Sequence, residues 1–146
     1  MNLVEIEKIV NNLIDTFIFS GNVSLDLRNK GLEKKIKSDN TPVTNGDIQV
    51  NDLLTKKITD LTPNIKIISE ENLINKENKN LKDFWLIDPI DGTYDYISGK
   101  DEFTINAALI LNKKPVAGII NAPDKNRLFY SFGLSNSFEL SNKSKT

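Results

Sequence analysis

The chain has 146 residues, 38% of them hydrophobic and 27% charged, with a net charge of −1, which is the profile of one ordinary globular domain with room for a core. That balance gives no basic excess for nucleic acid, so no nucleic-acid partner is expected. The absence of cysteine and histidine excludes disulfides, thiolate metal sites, the usual zinc ligand and any Ser-His triad, leaving chemistry to carboxylates, hydroxyls, lysines and metal-activated water.

Leu3, Ile6, Val10, Leu13, Ile14 and Phe17 recur at helical spacing and predict an amphipathic first helix, ended by Gly21 and Asn22. Glu5, Glu7, Lys8 and Asp15 interrupt the same stretch, so it does not read as a signal peptide. No segment approaches the roughly 20 apolar residues of a membrane span. A soluble, cytoplasmic protein is expected, with peripheral association with the inner membrane left open.

Residues 28–40 read as a polar, lysine-rich connection. A second helix is predicted from near Thr44, burying Val50, Leu53, Leu54, Ile58 and Leu61 and stopped by Pro63. Ile65 to Ser69 is a short strand running into Glu70 and Glu71, followed by a polar connection over 72–83. Further strands are expected at 84–88, 103–111, 115–121 and 127–132, with a hairpin turn at Asn112 and the lysines after it. Leu134 to Thr146 is rich in Ser, Asn and Lys and reads as a fraying end. Two helices followed by a meander of strands imply an α+β fold.

Three segments carry chemistry. The buried run Phe84 to Ile87 ends in Asp88-Pro89-Ile90-Asp91-Gly92-Thr93, which delivers two carboxylates to a strand mouth. Unpaired, they would repel and resist desolvation, so a cation is the natural third party, and hard oxygen donors suit Mg²⁺ beside a phosphate. Taken alone the same residues also read as a turn. An EF-hand loop fails because Ile90 stands where an oxygen side chain is needed, and the aspartates are three apart rather than in the Asp-x-Asp of aspartyl-phosphate enzymes. Glu70-Glu71 is by itself a solvated strand end, but beside Asp88 and Asp91 it can bring a third carboxylate, as a binuclear Mg²⁺ phosphatase needs. Lys37 to Thr44 followed by Asp47 reads by itself as a helix start, with Thr44 as cap and Asp47 completing a capping box.

Together, residues 37–47, 67–71 and 85–93, with Gly99 and Phe103 to Leu109 beyond them, resemble the inositol monophosphatase-like superfamily of Mg²⁺-dependent, lithium-sensitive phosphatases. The resemblance is closest to 3′(2′),5′-bisphosphate nucleotidases of the CysQ type and runs from about residue 5 to 133. It implies two N-terminal helices packed on an antiparallel β-sheet, the first half of a layered αβαβα sugar-phosphatase fold. It also implies Mg²⁺, two or three ions per complete site, held by Glu70, Asp88, Asp91 and the carbonyl of Ile90. Thr93 and Asp47 would share a hydrogen bond that orients and deprotonates the attacking water, with Glu70 also catalytic. The substrate would lie against Glu70, Ile90, Asp91, Gly92 and Thr93, with phosphate on the amides of Gly92 and Thr93, and Lys37 would sit in a loop over the metals. The implied reaction is hydrolysis of the 3′-phosphate of adenosine 3′,5′-bisphosphate to AMP and phosphate, a step linked to sulfur assimilation. Inositol monophosphatase and fructose 1,6-bisphosphatase activities are the alternatives, as is a non-catalytic fragment that binds metal or a partner half.

The sequence departs from the family pattern at several places. Nucleotidases usually carry Lys-Glu-Phe where this chain has Tyr94-Asp95-Tyr96, and a small residue such as Ala where it has Gly46. The family also has a second α/β half with a Trp-Asp motif, whereas the only tryptophan here, Trp85, is followed by Leu86. The resemblance therefore makes 1–133 the N-terminal half and 134–146 the truncated start of the next segment, with the C-terminal half missing. The expected partners are a small phosphorylated metabolite and either that missing half or a second copy through self-association.

Overall fold

A computed structural model describes residues 1–69 and 80–141. Asn2 opens helix α1 (Leu3–Lys30) with a capping box: its side chain accepts from the Glu5 amide at 2.9 Å, and the Glu5 carboxylate accepts from the Asn2 amide at 3.2 Å. Ile6, Val10, Leu13 and Phe17 form its buried stripe, as their spacing predicts. The helix does not end at Gly21 and Asn22 but continues to Lys30, where Gly31 closes it with φ 101°. Gly21 marks a close approach instead. A Cβ there would meet the Asn121 Nδ2 at 2.5 Å and the Pro123 ring at 3.2 Å.

The stretch expected to be a plain connection holds a hairpin. Strands β1 (Lys34–Ile36) and β2 (Pro42–Thr44) pair antiparallel, too short for any alternation to register in the sequence. The Asn45 amide donates to the Glu33 carbonyl at 3.0 Å, which fastens the hairpin to helix α2 (Asn45–Leu61). Val50, Leu54 and Ile58 are the buried hydrophobic residues of α2, with Leu53 and Leu61 partly covered at its margins. The helix stops just before Pro63, with Thr62 as its C-cap.

A sheet follows in the order β3 (Lys66–Ser69), β4 (Phe84–Asp91), β5 (Thr104–Leu111), β6 (Lys114–Ala122), β7 (Arg127–Phe132) and β8 (Asn136–Ser141). The expected antiparallel pairing holds from β4 to β7, and β8 extends it by one strand that was not expected. At the edge β3 runs parallel to β4, and the residues between Ser69 and Phe84 supply the dozen or more that a parallel return requires. Asn112 and Lys113 turn β5 into β6 with φ of 51° and 63°, the backbone of a type I′ hairpin. The C-terminal stretch expected to fray contributes β8. Phe138 stacks on Tyr130 and Phe132 at 5.1 and 5.6 Å, and Glu139 accepts from Arg127 Nε at 2.6 Å.

Helices α1 and α2 cover one face of the sheet, where Leu13, Phe17, Leu54 and Ile58 pack against Trp85, Ile87, Leu109 and Ile119. The Trp85 indole N–H donates to Thr62 Oγ1 at 3.0 Å, so its polar edge is satisfied inside the core. A smaller cluster of Ile90, Tyr96 and Phe103, with Leu25 and Leu32 against it, lies beneath the short helix α3 (Thr93–Ile97). Among the described residues no helix is long and apolar enough to cross a membrane.

A candidate carboxylate site at the end of strand β4

Residues three apart on a regular strand point to opposite faces, which would separate Asp88 from Asp91. The register shows why they are not separated. Asp88 pairs with Asn106 and Asp91 with Thr104, so β4 spends one residue more than β5 between those pairs. This is a β-bulge, and it returns Asp91 to the face of Asp88. Asn106 reads the result directly: it sits opposite Asp88, and its Nδ2 donates to Asp91 Oδ2 at 3.3 Å. Pro89 and Ile90, the residues between, are buried.

Gly92 follows with φ 86°, a left-handed turn that suits glycine and starts α3. Thr93 thereby opens the helix. Its hydroxyl lies 3.2 Å from the Ile90 carbonyl and 3.3 Å from Asp47 Oδ1. Asp47 is 1% exposed and has two separate duties. Its Oδ2 accepts from the Thr44 amide at 2.9 Å and the Thr44 hydroxyl at 2.6 Å, completing the capping box of α2. Its Oδ1 is left to face Thr93. The helix-start reading and the site reading of Asp47 are compatible, because they use different oxygens.

The structure thus brings Asp47 to Thr93 and Asp88 to the face of Asp91, with the Ile90 carbonyl beside Thr93 and Gly92 at the turn. Lys37 is partly buried at the tip of the β1–β2 hairpin, where its amide donates to the Thr41 carbonyl at 2.8 Å. Glu70 lies outside the described residues, as does Glu71. Among the described residues no three acidic side chains group closely enough to hold a metal ion, so the expected three-carboxylate array depends on Glu70.

Two residues near the site have no role assigned from the sequence, although both lie in segments compared there with the family pattern. Asn106 is one; its Oδ1 is buried and has no hydrogen-bond partner among the described residues, a polar atom unused beside two carboxylates. Tyr96 is the other. Its hydroxyl is fully buried and donates to the Ser24 carbonyl at 2.6 Å. Burial, followed by the nearby Asp47 carboxylate, raises its pKa far above the ordinary tyrosine value, while Arg28 acts weakly the other way. The phenol therefore stays protonated and remains a donor. The Arg28 guanidinium lies 5.6 Å from the Tyr96 ring and 5.4 Å from the Phe103 ring and grips Asp124 with bonds of 2.7 and 2.9 Å.

The donors in place are two carboxylates on one face, a backbone carbonyl and an orphaned amide oxygen. All are hard oxygens, the chemistry that fits Mg²⁺ rather than a soft metal.

Comparison with known proteins gives a consistent picture. Residues 8–143 match the inositol monophosphatase family. A 3′(2′),5′-bisphosphate nucleotidase CysQ of Haemophilus influenzae is 38% identical over 127 residues, covering 86% of this chain and 47% of that protein. The chain thus spans about half the length of the curated relatives it matches. Among solved structures, CysQ from Bacteroides thetaiotaomicron aligns with a TM-score of 0.66 at 26% identity, over 89% of this chain and 48% of that one. An IMPase/NADP phosphatase complexed with Mg²⁺ and phosphate shares the fold, with a TM-score of 0.77 at 20% identity over 94% and 51% of the two chains.

Proposed function

The chain belongs to the inositol monophosphatase family, and from that premise we propose that it carries the metal-binding part of a Mg²⁺-dependent phosphomonoesterase. The observation that carries this reading is the β4 bulge, which sets Asp88 and Asp91 on one face beside the Asp47–Thr93 contact. The proposed substrate is adenosine 3′,5′-bisphosphate, hydrolysed at the 3′ position to AMP and phosphate. Support comes from the 38% identity to a protein named as a nucleotidase of that kind.

In this reading Asp88, Asp91, the Ile90 carbonyl and Glu70 hold Mg²⁺. When bound, the metal neutralises phosphate charge and makes water more acidic. The chain's own groups do the rest. Thr93 Oγ1 takes a proton from the attacking water as it gives its own to Asp47 Oδ1, a relay that needs no histidine. The phosphorus–O3′ bond breaks and the leaving oxygen is protonated from solvent. The amides of Gly92 and Thr93 face a phosphate oxygen, and Asn106 steadies the Asp91 carboxylate through its 3.3 Å bond. Lys37, on the hairpin tip, is a candidate for a phosphate contact.

The test is phosphate release from adenosine 3′,5′-bisphosphate by this chain with Mg²⁺ and with EDTA, alongside inositol 1-phosphate and fructose 1,6-bisphosphate. We expect slow Mg²⁺-dependent release, lowered about a hundredfold or more by Asp47→Asn, the range that positioned general bases contribute. Asp91→Asn should lower Mg²⁺ affinity as well as release. Release that is equal in EDTA, or unchanged in both variants, would defeat the proposal. Calorimetric Mg²⁺ binding without release from any substrate would favour the reading of a non-catalytic metal-binding fragment.

A further inference from the structure

Gly46 occupies the first turn of α2, immediately before Asp47, and is buried. Its φ is not in the left-handed region, so nothing in the backbone asks for glycine, and alanine is the better helix former. The reason for glycine is a neighbour. A Cβ at position 46 would lie 2.8 Å from Tyr96 Cε2 and 2.9 Å from Tyr96 Cζ, and closer still to the Tyr96 hydroxyl. The ring cannot simply swing away. Its hydroxyl is tied to the Ser24 carbonyl of α1, and its ring packs against the Phe103 ring, tilted by 58°, at a centroid distance of 4.7 Å.

Tyr96 therefore bears on α1 through its hydroxyl and on α2 through bare backbone at Gly46. Thr93 stands three residues earlier on α3, on the same side of the helix. Fixing Tyr96 against α1 and α2 fixes how close Thr93 comes to Asp47. We propose that Gly46 and Tyr96 are a matched pair of positioning residues that sets the Asp47–Thr93 contact, each acceptable only because of the other. This rests on the reading of Asp47 and Thr93 given under the proposed function.

A double-mutant cycle on the full chain tests the pairing. Gly46→Ala, Tyr96→Phe and the double variant are compared by urea unfolding and by the amide resonances of Asp47 and Thr93. In the wild-type background Gly46→Ala should raise the unfolding constant about tenfold or more, as overpacking does, and should shift both resonances. In the Tyr96→Phe background the nearest obstruction is gone and the ring is released from Ser24. There the same substitution should leave the unfolding constant unchanged or lower it, and both resonances should return toward those of Tyr96→Phe alone. Failure of Gly46→Ala to fold while the double variant folds is the same result in stronger form. Equal effects in both backgrounds, or equal failure to fold, would overturn the pairing. Resonances of Asp47 and Thr93 unmoved by Gly46→Ala would overturn the positioning role. A coupled cycle in a chain whose phosphate release ignores Asp47→Asn would leave the pair standing and remove the function assigned to that contact.

Discussion

The Tyr96 phenol is removed from water and faces a carboxylate, and both conditions oppose its ionisation. In the unfolded chain the same group ionises near the ordinary value of 10.0. As pH rises past that value the unfolded state gives up its proton first, and the folded state, which holds its proton, loses stability relative to it. The contribution is complete below the unfolded value and is lost as pH climbs toward the raised folded value. Above about pH 10 the urea midpoint of the wild type should therefore fall more steeply than that of Tyr96→Phe, while near neutrality the two slopes should agree. Parallel curves across that range would mean that the phenol is not shielded. At this scale the sequence is legible where chemistry repeats a motif: it singles out Asp88, Asp91, Thr93 and Asp47, and the structure sets the first two on one face of the sheet and the last two in contact. Asn106, Gly46 and Tyr96 were not singled out for the site. Asn106 matters only through a cross-strand register, and the other two through a contact between separate helices, neither of which spacing along the chain records.

Among the elements, periodicity was enough to find both long helices and the strands from β4 to β7, because their apolar faces are long and regular. It failed where local composition and tertiary contact disagree. Glycine usually ends a helix, yet α1 passes through Gly21 because small residues at Ser20, Gly21 and Ser24 let the helix lie against Asn121 and Pro123. Asn121 is held in place by its bond to the Phe17 carbonyl at 2.8 Å, so it cannot retreat from a larger residue without breaking that bond. Gly21→Ala is therefore expected to destabilise the protein by about 1–3 kcal/mol through overpacking, although alanine in an uncrowded helix would stabilise by up to ~1 kcal/mol. Thermal unfolding with a matched exposed control, Asn22→Ala, decides the sign. A gain in stability for Gly21→Ala would show that α1 does not lie so close to β6. The last strand was missed for another reason. Asn136 to Ser141 is too polar to signal a strand, and its order comes from the aromatic contacts of Phe138 and the pairing with β7.

For the whole molecule, the sheet presents two unequal faces. One lies under α1 and α2. Across the other runs a register row of Asp88, Asn106, Ile120, Phe129 and Glu139, with Leu86, Ala108 and Gly118 in the row beside it. The two rows line an open groove of about 750 Å³. Leu86 and Ile120 are 47% and 45% exposed there, while Phe129 is partly shielded by the Arg127 guanidinium 4.8 Å from its ring. An exposed apolar patch of this kind favours association or a covering layer, with Ile120 and Phe129 lying between the polar residues at the two ends of the first row. The chain should therefore bind a hydrophobic dye and sediment as a concentration-dependent mixture of monomer and dimer. Replacing Ile120 with Lys puts a charge in the middle of the face without touching the helix-side core. That change should cut the dye signal by roughly half or more and shift the mixture toward monomer, with a thermal midpoint close to that of the wild type. A wild-type chain that stays monomeric and dark to the dye at every concentration would show that the face is not apolar enough to act. An Ile120→Lys variant that unfolds would instead place Ile120 inside the core, contrary to its exposure.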